Sequence, residues 1–527
     1  MITKWLKISV FLLFLVSQSS AQHRVETFLL TISDVAREQI DAVRSPADID
    51  FMPYLKPWAD RLGVTEAQAK TEIEQWVAAN VESADLFKKA LAQFYRKDFP
   101  SAARVLAESV AKRSKEYRQK VGTDTSNTEI GRAIRLQGVR ELRLIGHATF
   151  LNFDFANALK AYQQALQFTS DQETPELWAD ILMDLGRTYS EAASRMSPTK
   201  NGEVYGNSVK AYAAATDVFT FEKAPQKWGQ IQNSLGATLA IMGLNETGEK
   251  SDSLLNAGVQ ALRNSLKVFT EEAAPPFWAR SQNNLGATLA EMAVRKERDE
   301  GQKLMLEAVE AYQSSLRVRT REATPAQWAQ LQRSLASAYA YLKDWPNAVQ
   351  AYDNTLQQFP EDETAYQAAA ELYQKFTFDF ERSFKLTRDW VSRHPNDLKE
   401  KVKLVEKYFT SGRHSECQQQ IDTYLNSDDF SVLVKIFMRV LDVANQVALN
   451  QNGNVAPKLD TLLAAVKSQR EDFSLGINID GMVHFVETNS ALAPHKDWLV
   501  QFFKATTGKD RDTIYKGIAD ARAAFTG

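Results

Sequence analysis

The residues best suited to chemistry in this 527-residue chain are one thiol and six imidazoles. Cys417 stands three residues after His414, close enough on a helix for an imidazole to take a thiol proton. A working thiolate also needs an orienting third group and an electropositive setting, and no such pattern surrounds this pair. His23, His147, His394, His484 and His495 form no H-E-x-x-H or other metal-ligand spacing. G-x-S-x-G, G-x-x-x-x-G-K-[ST] and G-x-G-x-x-G are absent as well, which removes the hydrolase, nucleotide and dinucleotide signals. The acidic run Glu361-Asp362-Glu363 follows Pro360 and reads as a solvated turn with a helix N-cap. The expectation is a chain with no catalytic residues, no metal and no cofactor.

What positions these side chains is a repeat. Trp178, Trp228, Trp278 and Trp328 stand fifty residues apart, each three residues after a proline: Pro175, Pro225, Pro275 and Pro325. Leu185-Gly186, Leu235-Gly236, Leu285-Gly286 and Leu335-Ala336 keep the same period, as do Ala161, Ala211, Ala261 and Ala311. Self-similarity at this period marks stacked units, none of which buries its apolar face alone.

Within one copy, Trp228, Ile231, Leu235, Leu239 and Met242 recur at spacings of three and four and define helix A. Proline suits its first turn because the missing N–H has no partner there, and Thr174 and Thr324 are expected to cap from the preceding position. Gly243 and the polar stretch 245–252 break the pattern, and Leu255, Val259, Leu262, Leu266 and Phe269 define helix B. Each Trp precedes the Leu of its Leu-Gly or Leu-Ala pair by seven residues, on the same helical face, so packing between repeats is preferred over an exposed aromatic platform. By the same logic Cys417, in the small-residue place held by Ala158 and Ala348, is expected in the core.

Leu335-Ala336, Tyr339, Ala348, Tyr352, Thr355 and Pro360 resemble in type and spacing the 34-residue tetratricopeptide repeat. The skeleton recurs in Ile145-Gly146 with Ala158, Tyr162 and Ala165, and in degenerate form in Leu404-Val405, Tyr408, Cys417, Ile421 and Tyr424. A hairpin around Phe87, Ala90, Phe94 and Ala102 looks like a further member. The fifty-residue copies depart from the family by insertions at 196–202, 244–252 and 294–301, which imply extended helices or a polar fringe along one edge.

The resemblance implies an all-α, right-handed α-solenoid of helical hairpins over residues 83–425. Helical segments at 22–82 and 426–527 are then expected as its caps. It also implies a concave groove lined by helix-A side chains that binds peptides or partner helices. Gln230, Asn233, Arg280, Asn283, Gln330 and Arg333 would lie there, with His147 and Arg187 further along. Amides suit a peptide backbone and arginines suit carboxylates. Asn233 and Asn283 are equally readable as bonds between adjacent helices that bind nothing, and both readings stand at this stage.

Composition agrees with a folded, non-nucleic-acid-binding protein: 44% hydrophobic, 24% charged, formal net charge −3. Lys4 and Lys7 precede an apolar run at 8–16 and small residues at Ser19 and Ala21. That is the pattern of a signal peptide at 1–21, with an apolar run about half the ~20 residues a membrane span needs. Export with a single cysteine points to a bacterial periplasm or exterior. With no cysteine near the signal, a lipid anchor is not expected. The reading is thus an exported, non-catalytic scaffold for a protein or peptide partner. Two alternatives are a self-associating envelope component and an enzyme or ligand site in the C-terminal region around His484 and His495.

Overall fold

The computed structural model describes residues 21–37, 45–121 and 129–526. The expected signal segment, up to its last residue, lies outside them. Every regular element among the described residues is helical, with twenty-four α-helices packed mainly in consecutive pairs. The architecture is an α-solenoid. The chain divides into two compact units after Leu331, inside the helix Pro325–Tyr341.

The first unit opens with α1 (Ala21–Val35), α2 (Met52–Leu62) and α3 (Glu66–Asn80). Five hairpins follow, each an A helix and then a B helix. They are α4 (Leu86–Tyr95) with α5 (Phe99–Val121), α6 (Glu129–Leu151) with α7 (Phe155–Leu166), and α8 (Pro175–Ser194) with α9 (Pro198–Val218). Next come α10 (Pro225–Leu244) with α11 (Gly248–Val268), and α12 (Pro275–Ala293) with α13 (Arg298–Leu316). One core runs from Val25 through Trp58, Ile73, Phe94, Tyr162 and Leu185 to Ile231, so residue 82 marks no break in it. Each leucine or isoleucine fully removed from water contributes about 1.5–3 kcal/mol, and only stacking removes them here.

The helix Pro325–Tyr341, α14, is followed in the second unit by α15 (Trp345–Gln358), α16 (Glu363–Lys375), α17 (Phe380–Arg393), α18 (Leu398–Thr410) and α19 (His414–Leu425). Then come α20 (Val432–Ala448), α21 (Val455–Lys467), α22 (Asp480–Thr488), α23 (Lys496–Ala505) and α24 (Arg511–Thr526). Val405, Cys417 and Ile421 share a core with Leu441, Phe485, Phe503 and Ile518, so residue 425 is not a core boundary either.

Two kinds of A–B turn explain the two repeat lengths. In short repeats a residue with positive φ (Lys97, Phe153, Lys343 or Phe378) precedes an aspartate (Asp98, Asp154, Asp344 or Asp379) and then an aromatic residue. The aspartate caps helix B by accepting from a backbone N–H three residues on, as from Asn157 at 3.2 Å and Arg382 at 3.0 Å. In the fifty-residue copies the inserted residues become helix. Helices α8 to α13 run 19–21 residues, whereas the short-repeat B helices α7, α15 and α17 run 12–14. The insertions therefore lengthen helix B relative to those short copies by about a turn or more.

Glycine in the Leu-Gly pair has a steric reason. A Cβ at Gly146 would lie 2.3 Å from the Tyr162 ring, and one at Gly186 would lie 2.8 Å from Tyr212. The aromatic of helix B occupies that space.

The capping expected from Thr174 and Thr324 does not occur. Thr174 makes no cap bond, and the Thr324 hydroxyl is buried with no partner among the described residues. The hydroxyl used in the turn before each Pro-x-x-Trp helix sits four residues earlier, at Ser170, Thr220, Thr270 and Thr320, and accepts a backbone N–H three residues on at 3.0–3.3 Å. Thr174, Ala224 and Ala274, which precede their prolines, share φ of −142° to −152° and ψ of 56° to 64°, and none makes a side-chain cap bond.

Candidate functional site

The tryptophan ladder packs between repeats only in part. Trp278 is buried under Arg317, whose guanidinium lies 4.9 Å from the ring centroid, while Trp178, Trp228 and Trp328 are half-buried. Cys417 is fully buried with its sulfur 3.6 Å from the Val405 carbonyl, and burial raises its pKa, so the thiolate is disfavoured. His414 is engaged with Asn445 at 3.1 Å, and burial lowers its pKa. His484 stacks on Phe378 with ring centroids 3.6 Å apart, and His495 lies 3.5 Å from the Asn452 amide. Among the described residues no group of three His, Cys, Asp or Glu side chains is placed to hold a metal ion. No described helix is long and apolar enough to cross a membrane.

The helix-A face is where the polar residues gather, and at the start of the first unit the chain itself covers it. Helix α1 packs on α3 and on the A helices α4 and α6. Its apolar stripe is Val25, Phe28, Leu29 and Ile32, all at most 3% exposed. Polar contacts progress along it in order: Arg24 to Glu72 at 3.2 Å, Glu26 to Lys88 at 3.4 Å, and the Ser33 hydroxyl to His147 Nδ1 at 3.2 Å. Just past its end, Arg37 Nη1 donates to Asp184 Oδ1 at 2.6 Å. Asp184 also accepts from Arg143 Nε at 2.6 Å and lies 3.4 Å from His147 Nε2. Burial by itself would raise the Asp184 carboxyl; the Arg143 and Arg37 guanidiniums, with His147, outweigh it and hold the group well below the usual carboxylate range.

His147, expected on the groove surface, is thus 3% exposed and bonded beneath α1. Arg187, one turn beyond Asp184, remains half-buried with no ion pair among the described residues. Its charge acts on Tyr212, whose phenol burial pushes up to about 12 against the pull of Arg187.

Beyond α1 the face of α10 and α12 has no covering helix among the described residues, their main packing partners being helices of their own and adjacent hairpins. Gln230 and Arg280 are half-buried on it, Arg280 stacking at 5.7 Å on Phe277, and Gln330 is exposed. Ala287 and Glu291 stand exposed along the same side of α12. Asn233 is not part of that surface. At 7% exposure its Oδ1 accepts from Ser281 at 3.2 Å and from Asn284 at 3.1 Å, tying α10 to α12. Asn283 donates to the neighbouring Asn284 at 3.3 Å and is half-buried. Of the two readings for these asparagines, Asn233 takes the inter-helix one. In the second unit Arg333 pairs with Asp362.

That unit repeats the device. Helix α22 packs on the A helices α16 and α18, and at Gly481 a Cβ would lie 2.9 Å from the Gln374 carbonyl, so only glycine allows this approach.

Arg37, Arg143, Asp184 and Ser33 were not legible as site residues. The one signal was Asp184 itself, a carboxylate where the other copies have Ser234, Asn284 and Ser334.

No protein-family model matches this chain, and no curated protein does. Solved structures with similarity include the assembly chaperone of RpL4 (Acl4, residues 1–338), at 14% identity over 53% of this chain and 98% of that one, TM-score 0.34. BtubC (BKLC) from P. vanneervenii matches at 15% identity over 48% and 91%, TM-score 0.29. The TPR2AB domain of yeast Sti1 in complex with pHSP90 matches at 14% over 62% and 98%, TM-score 0.19. At these scores the fold assignment rests on the helix packing above.

Proposed function

We propose that the protein is an exported, tetratricopeptide-like scaffold without catalytic activity that holds a protein or peptide segment on the open helix-A face of its first unit. The observation that carries this reading is the contrast along that face. Where α1 lies, the face already accepts a segment of chain; across α10 and α12 it presents Gln230, Arg280, Ala287 and Glu291 with no helix over them among the described residues. Arg187 stands at the near edge of the uncovered stretch, suited to a partner's carboxylate. Affinity capture from an envelope extract, run side by side with the full chain and its Arg187→Glu/Arg280→Glu variant, tests it. A partner retained by the first and at least tenfold depleted with the second, at unchanged circular dichroism, supports the groove; equal recovery removes it. Export is read from residues 1–21, and the N-terminal sequence of the protein recovered from the envelope should begin at Gln22.

Self-association is the second reading, and it has one observation in its favour. Met196, Leu244 and Val294 recur near the end of successive long A helices and are 40%, 38% and 57% exposed. Sedimentation that depends on concentration, and ceases on Leu244→Glu/Val294→Glu, supports it.

A further inference from the structure

Helix α1 is held the way a ligand is held. It packs on α3, sets Phe28 against Trp58 of α2 with ring centroids 4.7 Å apart, meets the A helices α4 and α6 and reaches α8 through Arg37, so it crosses successive repeats. Fifteen residues of helix cover about 22 Å, enough to cross three neighbouring helices at the usual 8–10 Å spacing. Its contacts with the rest of the molecule are made by side chains. Among the described residues no backbone hydrogen bond joins it to another element. The hairpins beneath it also pack consecutively on one another, α5 on α6 and α7 on α8.

We propose that α1 is an internal ligand of the helix-A face, docked in competition with a partner of the same chemistry. That partner is an amphipathic helix with an apolar stripe at i, i+3, i+4 and i+7 and a guanidinium one turn beyond it. Val25, Phe28, Leu29 and Ile32 supply the stripe, and Arg37 supplies the guanidinium that enters the Asp184 site. Asp184 keeps Arg143 and His147 as partners when Arg37 leaves, so the carboxylate is not stranded between occupants. A helix is selected over an extended strand because the face is read through one stripe of side chains, and backbone bonding, which a strand would need, is not offered. This deepens the proposed function and rests on its premise that the helix-A face is the docking surface.

Two measurements on the full chain test it. In native-state hydrogen exchange of the unmodified protein, amides of Phe28–Ile32 should exchange at least tenfold faster than those of Leu144–Phe150 in α6, the mark of a segment that opens by itself. In a full-length chain cut at a protease site introduced between Arg37 and Ser45, a fluorescent synthetic peptide of residues 22–37 should replace the cleaved segment. The Arg37→Ala peptide should bind at least tenfold more weakly. If α1 is released only together with α6, or the cut protein refuses the peptide, α1 is permanent core and the proposal fails. Arg187 and Arg280 are not among the residues that hold α1 in the contacts described above, so the two ideas separate. Peptide refusal with a partner still lost on Arg187→Glu/Arg280→Glu removes only this inference. Peptide binding with partner recovery unaffected by those substitutions removes only the groove reading.

Discussion

Replacing Asp184 with asparagine keeps the shape of a buried side chain and deletes the charge on which two arginines converge. The Arg37 side chain is 7% exposed and that of Arg143 18%. Removing one member of a buried ion pair costs about 3–5 kcal/mol, because the survivor is left charged in a low-dielectric site. Arg143 can turn toward water and Arg37 cannot, so the lower end applies: about 3 kcal/mol, or roughly a hundredfold rise in local opening. The assay is hydrogen exchange of the α8 amides from Ile181 to Thr188 in the full chain near neutral pH, since a repeat array opens in parts rather than all at once. Asp184→Asn/Arg37→Met removes both charges and should recover most of the loss, because apolar groups in place of a buried pair are close to neutral. Acidity supplies the sign check. The folded pKa of Asp184 is depressed, so its contribution is complete above the ordinary aspartate value of about 3.9 and disappears as pH falls through the folded value. The gap between wild type and Asp184→Asn should therefore narrow on acidification. A single-variant loss under about 1 kcal/mol, a double variant no better protected than the single, or a gap that widens in acid would refute the reasoning.

Other consequences follow from packing. Gly186→Ala, which places a methyl group 2.8 Å from the buried Tyr212 ring, should destabilise by about 1–3 kcal/mol in denaturant melts. Gly206→Ala, with nothing within 4 Å, should stabilise by up to about 1 kcal/mol through helix propensity. Cys417 should resist a thiol reagent in the native protein and titrate as one thiol in denaturant; rapid native reaction would mean a thiol that is neither buried nor held protonated. Asp154→Ala should cost about 1 kcal/mol by removing the cap on α7, and a neutral result would mean the aspartate of the short turn is dispensable.

The hairpin architecture was legible because its signals are local. Leu-Gly in helix A and Tyr or Leu in helix B lie within one hairpin, and the pairings Gly186 with Tyr212 and Gly236 with Leu262 follow from their spacing. The helices Glu66–Asn80, Val432–Ala448 and Arg511–Thr526 fall within the flanking segments 22–82 and 426–527 that were expected to be helical. The candidate groove was only partly legible. Arg187, Gln230 and Arg280 lie on the helix-A face, but His147 lies beneath α1 and Asn233 is spent on Ser281 and Asn284. Register on a helix tells which way a side chain points, and it does not tell whether another segment arrives to cover it.

By itself the sequence determined the unit of construction, because a fifty-residue period and a stripe of apolar residues at three- and four-residue steps can be buried only by stacking helical hairpins. It also determined that no arrangement of its six histidines and one cysteine spells a known catalytic or metal motif. Tertiary structure alone decided where the face is open. Arg37 and Asp184 are 147 residues apart, as are no two residues in a hairpin, and nothing local in either predicts that α1 returns across α4 and α6 to join them. Contacts of that range depend on the path of the whole chain, and they decide which part of the helix-A face α1 covers.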